Sequence, residues 1–425
     1  MNIEILNEDT WPTKIKVIGI GGGGCNAVDC MIEQGVQNID FIVANTDAQV
    51  LLKSKAHHKI QLGQHITRGL GAGADPDIGE KAAIEDRELL ENVLKGADMI
   101  FITAGMGGGT GTGASPVIAE IARSLGAVTV GVVTKPFKFE GKSRMDKAER
   151  GIENLVDNVD TLITIPNENL LNYVQKNTSL VDAFRIADDV LRQAVQGISD
   201  IITIPGLINV DFADVKAIMR DAGNAIMGMG IGNGENRAIE AATEAISNPL
   251  LDISSMEGST GVLVNVTGGT DLTLQDYNEI VSLVTSQCAS EANIIAGTVA
   301  DNSMADEIRV TVIATGFKQR KNLKGVVNDK NVVSSSLFKN AAENTEKVRK
   351  FKVTGSSSYG LNETHVDNTP MVQNLDFDSS DIKKIVNGNI DNRGNDKELP
   401  ILNQNDKGYD QYNLEIPTFL RNRKD

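Results

Sequence analysis

Two short stretches put an unusual amount of bare backbone at the ends of apolar runs. "GIGGGGCN" at 19–26 and "GMGGGTGTGASP" at 105–116 each follow a β-rich segment, and each precedes a stretch with helical spacing. Glycine inside regular structure costs roughly 1 kcal/mol relative to alanine, so such clusters imply a backbone that something bulky must approach closely. A flexible surface loop is the plainer alternative. Their position decides between the two. "IKVIGI" (15–20), "FIVANTD" (41–47), "ADMIFITAG" (97–105), "AVTVGVVT" (127–134) and "TLITIP" (161–166) alternate with helical stretches, which predicts a parallel sheet covered on both faces. Ligands of such sheets sit at the carboxyl ends of the strands, and both glycine clusters fall there.

Residues 179–200 read as one long helix. Its wide apolar side (Ala183, Ala187, Val190, Leu191, Ala194, Ile198) and polar stripe (Arg185, Asp189, Arg192, Gln196) predict burial between two bodies. Beyond it, "GVLVNVTGG", "NIIAGTVAD" and "IRVTVIATGF" predict a second, smaller α/β unit reaching residue 317. The expected organisation is a nucleotide-binding domain at 12–178, a central helix at 179–201, a carboxyl-terminal α/β domain at 202–317, a linker at 318–413 and a terminal peptide at 414–425. The linker is rich in Asn, Asp, Ser and Lys without sustained period, a composition that buries too little apolar area to offset ordering, so disorder is expected. The last residues restore an apolar cluster, Leu414, Ile416, Phe419 and Leu420, followed by Arg421, the composition of a docking peptide.

Charge and cysteine content narrow the classes. A net charge of -16 argues against nucleic acid, whose phosphates reward Lys and Arg. Three cysteines without zinc spacing predict reduced thiols in a cytosolic compartment and no metal site. The polar, acidic start and the lack of any run of ~20 apolar residues predict no signal peptide and no direct membrane insertion.

Gly19, Gly21 and Gly24 satisfy G-x-G-x-x-G between a strand and a helix, the fingerprint of dinucleotide sites. On that reading the chain is an NAD-dependent oxidoreductase, with Asn45 and Asp47 as ribose ligands. The second cluster counts against it. "GGGTGTG" offers free amides and two hydroxyls at the start of another helix, an arrangement that suits a further phosphate. Two phosphate loops on one sheet suggest a nucleoside triphosphate, and no P-loop lysine is present to supply counter-charge.

"GGGTGTG", with "IGIGGGGCNAV", "ANTDAQ", "GLGAGADP", "TKPFKFEG", "AFRIADDVL", "GLINVDFADV" and the terminal "IPTFLR", resembles the tubulin/FtsZ GTPase family on its bacterial cell-division side. The resemblance covers 15–317 almost without interruption and returns at 415–421. It implies GTP or GDP as ligand with Mg2+ on the phosphates. Gly22, Gly23, Gly24, Cys25 and Asn26 would line the first phosphate loop, with Asn26 reaching toward the base and Cys25 contributing backbone only. Gly109, Thr110 and Gly111 would hold the outer phosphates. Glu140 would take a ribose hydroxyl beside Arg144, and Asp188 would face guanine with Phe184 against the ring. A carboxylate can accept from both N1–H and the exocyclic amine of guanine, which adenine cannot match. Yet Asp188 with Arg192, and Glu140 with Arg144, are also i, i+4 pairs that read as helix salt bridges.

Asp211 and Asp214 read from the sequence as an N-cap acid and a first-turn acid. The resemblance gives them the catalytic role instead, positioning water at the GTP of a neighbouring subunit, so that hydrolysis follows head-to-tail assembly. It further implies filaments that form the septal ring in the cytoplasm at mid-cell beneath the membrane. Ile416, Phe419, Leu420 and Arg421 would meet division proteins and membrane-tethering adaptors.

Overall fold

The computed structural model describes residues 13–171, 178–248, 256 and 258–317. The expected linker at 318–413 and docking peptide at 414–425 lie outside the described residues.

The amino-terminal half alternates strand and helix: β1 (Ile15–Ile20), α1 (Gly21–Glu33), β2 (Asp40–Asn45), α2 (Ala48–Lys53), β3 (His58–Gln61), α3 (Gln64–Thr67), α4 (Pro76–Glu85), α5 (Arg87–Leu94), β4 (Met99–Gly105), α6 (Thr110–Ser124), β5 (Val128–Lys135), α7 (Lys142–Val156), β6 (Thr161–Pro166) and α8 (Asn167–Leu170). The central helix α9 (Leu180–Thr203) leads through α10 (Phe212–Met219) into β7 (Gly223–Asn233), α11 (Arg237–Ser247), β8 (Gly261–Gly268), α12 (Leu274–Ser286), β9 (Asn293–Ala300) and β10 (Glu307–Thr315). The strands form one sheet in the order β3-β2-β1-β4-β5-β6-β7-β10-β8-β9. It is parallel from β3 to β7, and β10 runs antiparallel between β7 and β8.

β1, β4 and β5 are nearly continuous runs of buried residues because helices cover both faces. One core gathers Val17, Phe101 and Val130 with Met31 of α1 and Leu191, Val195 and Ile198 of α9. The other face buries Ile18, Ile102 and Leu162 beneath α4, α5, α6 and α7. A third core lies between α11, α12 and strands β8 and β10. α9 starts at a serine cap, Ser179, whose side chain accepts from Asp182 N, and it packs against α1 and β5 as well as β8 and β9. Gly197 makes the approach possible, since a Cβ there would meet Thr311 Cγ2 at 2.9 Å. Burying a side chain such as Leu191 completely contributes roughly 1.5–3 kcal/mol, so both halves draw stability from one helix. Among the described residues no helix is long and apolar enough to cross a membrane.

Candidate functional site: a pocket at the carboxyl ends of the parallel strands

β1 and β4 are in register, Ile20 opposite Ala104, so both glycine loops leave the sheet side by side. They are packed on each other. A Cβ on Gly21 would stand 2.8 Å from Gly111 N, one on Gly23 would stand 3.2 Å from Gly105 Cα, and one on Gly24 would meet Thr103 O at 2.4 Å. Gly21 also has φ +70°, a left-handed conformation that favours glycine. Gly109 is closed in by Ala72 Cβ at 2.8 Å and Asp75 N at 2.9 Å, and Gly111 by Gly105 O at 2.8 Å. Gly22 and Gly108 are different: a Cβ at either meets no atom within 4 Å. The cluster therefore divides into glycines that let backbones touch and glycines that face open space.

Both loops run straight into helices. The N-cap residues of α1 and α6 are Ile20 and Gly109, whose side chains have no acceptor for the first-turn amides. Two helix amino termini thus present uncapped N–H groups and positive dipole ends at one place, which suits an anion. Thr110 Oγ1 lies 2.7 Å from Thr46 Oγ1, and Thr112 Oγ1 accepts from Gly107 N at 2.8 Å, so the signature hydroxyls also brace the loop.

A third loop, 69–75 within "GLGAGADP", completes this wall, although the residues alone gave it no role. Gly69, Gly71, Gly73 and Ala74 have φ of +76°, +88°, +58° and +60°. Gly71 N donates to Thr46 O at 3.1 Å, and Ala72 lies against Gly109.

Beside the loops stands a mixed aromatic and polar wall. Phe137 stacks on Phe139 at 4.9 Å and meets Phe184 of α9 edge to face at 5.5 Å. Glu140 Oε1 accepts from Phe137 N at 2.9 Å, while its Oε2 lies 3.1 Å from Arg144 Nε. Arg144 lies over the signature loop as well, because a Cβ on Gly107 would meet its Cγ at 2.7 Å. The Glu140–Arg144 salt bridge expected from spacing is present. The Asp188–Arg192 pair is not: Arg192 Nε bonds Asp189 Oδ1 at 2.6 Å, three residues back along the helix. Asp188 remains next to Asp29, whose Oδ1 accepts from Ser54 Oγ and Lys55 N, both at 2.7 Å. Burial first, and the Asp29 carboxylate second, push the Asp188 carboxyl up to about 8. Asn167, at the end of β6, is buried with its Oδ1 unpartnered among the described residues. An orphaned amide oxygen costs about 1–3 kcal/mol unless a ligand donor meets it. The sequence reading missed Asn167; the available signal was a polar residue directly after a buried strand.

Asn26 is exposed on α1, while Cys25 is fully buried with its Sγ 3.8 Å from Asn45 Nδ2. Burial pushes the Cys25 thiol up to about 12 and the Cys30 thiol to about 11, so neither is a nucleophile at neutral pH. Asn45 Oδ1 accepts from Asp47 N at 3.2 Å, and Asp47 caps α2 through Gln49 N at 2.9 Å. The two residues assigned to a nicotinamide ribose are thus committed to the β2–α2 turn.

Asp211 and Asp214 lie elsewhere. Asp211 caps α10, accepting from Asp214 N at 2.8 Å, and both are exposed. A Cβ on Gly297 would meet Val210 Cγ2 at 2.6 Å and Ile201 Cδ1 at 2.9 Å, which places the residue before Asp211 beside the carboxyl-terminal part of α9. Ile201 is roughly 25 Å further along that helix than Phe184, at 1.5 Å per residue. The structure therefore brings the glycine loops, Glu140, Arg144, Phe184 and Asp188 together and leaves the two acids far along the molecule.

Residues 14–175 match the model for the Tubulin/FtsZ family, GTPase domain, and residues 223–318 match that for the FtsZ family, C-terminal domain. An empty FtsZ dimer from M. jannaschii is 46% identical, with a TM-score of 0.70 over 74% of this chain and 90% of that one. A mutant FtsZ from the same organism is 47% identical, with a TM-score of 0.70 over 72% and 92%. A GTPγS-bound CetZ2 protofilament from Haloferax volcanii shares the fold at 19% identity and a TM-score of 0.62, over 73% and 95%. These likenesses replace the oxidoreductase alternative, whose single G-x-G-x-x-G left the second loop without a purpose. The chain belongs to the FtsZ family of tubulin-like GTPases.

Proposed function

We propose that this GTPase binds GTP in the pocket described above, assembles head to tail, and hydrolyses the nucleotide where two subunits meet. The uncapped amides of α1 and α6, with Gly22, Gly23, Gly24, Gly109, Thr110 and Gly111, would take the phosphates. Glu140 would accept from a ribose hydroxyl, Arg144 would lie beside sugar and phosphates, and Asn26 would reach toward the base. Guanine would be read by Asp188, with Phe184 against the ring and the Asn167 oxygen as a further acceptor. No lysine stands in either glycine loop, so the donor set fits a nucleotide whose charge is partly neutralised before it binds. Mg2+ held on the phosphate oxygens would supply that neutralisation and stabilise charge developing on them.

The observation that carries the shared site is the distance of Asp211 and Asp214 from their own subunit's glycine loops. Residues so exposed, beside the carboxyl-terminal part of α9, would act on another subunit's nucleotide, where they would position and polarise the attacking water. Large exposed apolar residues support a contact between the two ends. Leu52 of α2 and Leu70 of the 69–75 loop are 81% and 83% exposed, and Leu207, in the loop before Asp211, is 81% exposed. Such a heterologous contact does not close on itself and generates a filament. The filaments would form the septal ring at mid-cell, held beneath the membrane by adaptors that bind Ile416, Phe419, Leu420 and Arg421.

The cap formed by Asp211 favours a second reading, an assembly scaffold that binds GTP without turning it over. Phosphate release and sedimentation measured across protein concentration separate the two. Specific activity that rises with concentration supports the shared site; activity per molecule that stays flat to high dilution, or none at any concentration, contradicts it.

A further inference from the structure

Arg123 stands at the far end of the helix that the signature loop opens. α6 is roughly 20 Å long at 1.5 Å per residue, and eleven of its fifteen residues are buried. Its first residue, Thr110, is held by Thr46, and its next-to-last residue is Arg123. That guanidinium donates from Nη1 to Asp157 O at 3.3 Å, places Nε 3.8 Å from Asp160 Oδ1, and pairs through Nη2 with the Asp221 carboxylate. Asp160 is buried and ties the same junction together. Its Oδ2 accepts from Thr129 N at 2.8 Å, its Oδ1 from Asp221 N at 3.4 Å, and its carbonyl from Gly223 N at 2.9 Å.

Asp221 lies two residues beyond α10, the short helix that Asp211 caps. Its φ is +52°, so the chain turns sharply there. The carboxyl end of α10 is anchored on two strands: Met219 O accepts from Thr161 Oγ1 of β6, and Ile218 O accepts from Thr315 Oγ1 of β10 at 3.1 Å. One side chain therefore links the helix that starts at the phosphate loop to the base of the helix that carries Asp211 and Asp214. Packed interiors transmit strain, so a shift of α6 at its glycine-loop end would have a route to α10 through this junction.

We propose that Arg123 is a positioning residue that sets α10, and hence Asp211 and Asp214, according to the state of the subunit's own nucleotide pocket. A subunit would then present its acids correctly to the next nucleotide only while its own loop is in the liganded arrangement. This rests on the shared-site reading given above.

The test compares full-length wild type with Arg123→Ala, Arg123→Lys, Asp221→Asn and the Arg123→Ala/Asp221→Asn double variant. Asn is chosen at 221 because it tolerates the left-handed conformation. The Arg123 and Asp221 side chains are 41% and 64% exposed, so losing that pair removes little stability, whereas Arg123→Ala also leaves the buried Asp160 carboxylate without its guanidinium neighbour. GDP affinity at high dilution therefore stays at the wild-type value, and the melting temperature stays there in Asp221→Asn and Arg123→Lys and falls only modestly where Arg123 is replaced by Ala. Turnover per assembled subunit falls about five- to tenfold in Arg123→Ala and in Asp221→Asn. Arg123→Lys recovers part of it, and the double variant is no slower than the slower single one. Unchanged turnover in Arg123→Ala, or losses that multiply in the double variant, overturn the relay while wild-type activity still rises with concentration. Early melting and lost GDP affinity in step with turnover would also overturn it, by making Arg123 structural. Wild-type activity that is flat with concentration overturns the shared site, and the relay with it.

Discussion

A Cβ on Gly21 would lie 2.8 Å from the amide nitrogen of Gly111, so the two glycine loops rest backbone against backbone. The contact separates glycines needed for the fold from glycines that face open space. A methyl at Gly113 would stand 1.9 Å from Pro76 O, whereas a methyl at Gly22 meets nothing within 4 Å. Gly113→Ala is expected to destabilise the protein by about 1–3 kcal/mol through overpacking. Gly22→Ala should melt at or slightly above the wild-type temperature, since alanine is the better helix residue, yet bind GTP at least about tenfold more weakly, a loss of roughly 1.4 kcal/mol. Thermal melts paired with nucleotide titrations check both. Wild-type affinity in Gly22→Ala would remove that residue from the phosphate site.

Asp188 gives a change of base preference. An Asn at 188 keeps one acceptor for the N1–H of the base but turns an N–H toward the position of the guanine amine, where xanthine carries an oxygen. Asp188→Asn should lose GTP binding by about two orders of magnitude and gain XTP, because an unpaired buried polar group is costly. Competition of GTP and XTP for the variant checks this, and unaltered GTP preference would place Asp188 away from the base.

The same carboxyl predicts a pH dependence. With its pKa raised from 3.8 to about 8, the folded, empty protein holds a proton that the unfolded chain has released. Stability of the empty protein therefore falls as pH rises across that window. On the proposed reading guanine would require the carboxylate, so binding would expel the proton, and affinity should rise toward pH 8 by at most about tenfold per unit. The melting shift caused by GDP should widen between pH 6 and pH 8 in wild type and stay constant in Asp188→Asn. A constant shift in wild type would contradict this account.

Deleting 415–425 should leave GTP hydrolysis and filament formation in vitro nearly unchanged and abolish localisation to the membrane in cells. A flexible chain of about 95 residues would span roughly 50 Å, enough for a tethered peptide to leave a filament surface. Fluorescence imaging of the truncated protein checks it. Rings that persist without the peptide would contradict the docking role.

Much of this architecture was legible because buried parallel strands are unbroken apolar runs. β7 was missed, and its composition explains why: "GNAIMGMGIGN" looks like a poor strand. Two of its glycines lie under α11, where a Cβ on Gly230 would meet Ala241 O at 2.1 Å and one on Gly232 would meet Arg237 O at 2.0 Å. Strand propensity gave way to helix packing. β3 was missed as well, because "HKIQ" is short and polar. The pocket was legible through its glycines and, by resemblance, through Glu140, Arg144 and Asp188. Thr46 and Asn167 were not, since their roles arise from contacts between loops distant in sequence. Spacing alone paired Asp188 with Arg192; the helix instead turns Arg192 toward Asp189 and leaves Asp188 beside Asp29.

The central claim is that one subunit's acids act on the next subunit's GTP, and mixing two impaired variants tests it most directly. Asp214→Ala keeps a working nucleotide pocket but lacks a catalytic acid. Asp188→Asn keeps both acids but does not hold GTP. Each alone should release phosphate from GTP at least about tenfold more slowly than wild type, a barrier increase of roughly 1.4 kcal/mol. In a one-to-one mixture with XTP added to fill the Asp188→Asn pocket, an Asp188→Asn subunit can set its acids against the GTP of an Asp214→Ala neighbour, so phosphate release from GTP should rise well above the sum of the two separate rates. A mixture that releases phosphate only at that sum would show that the acids do not work across the subunit contact.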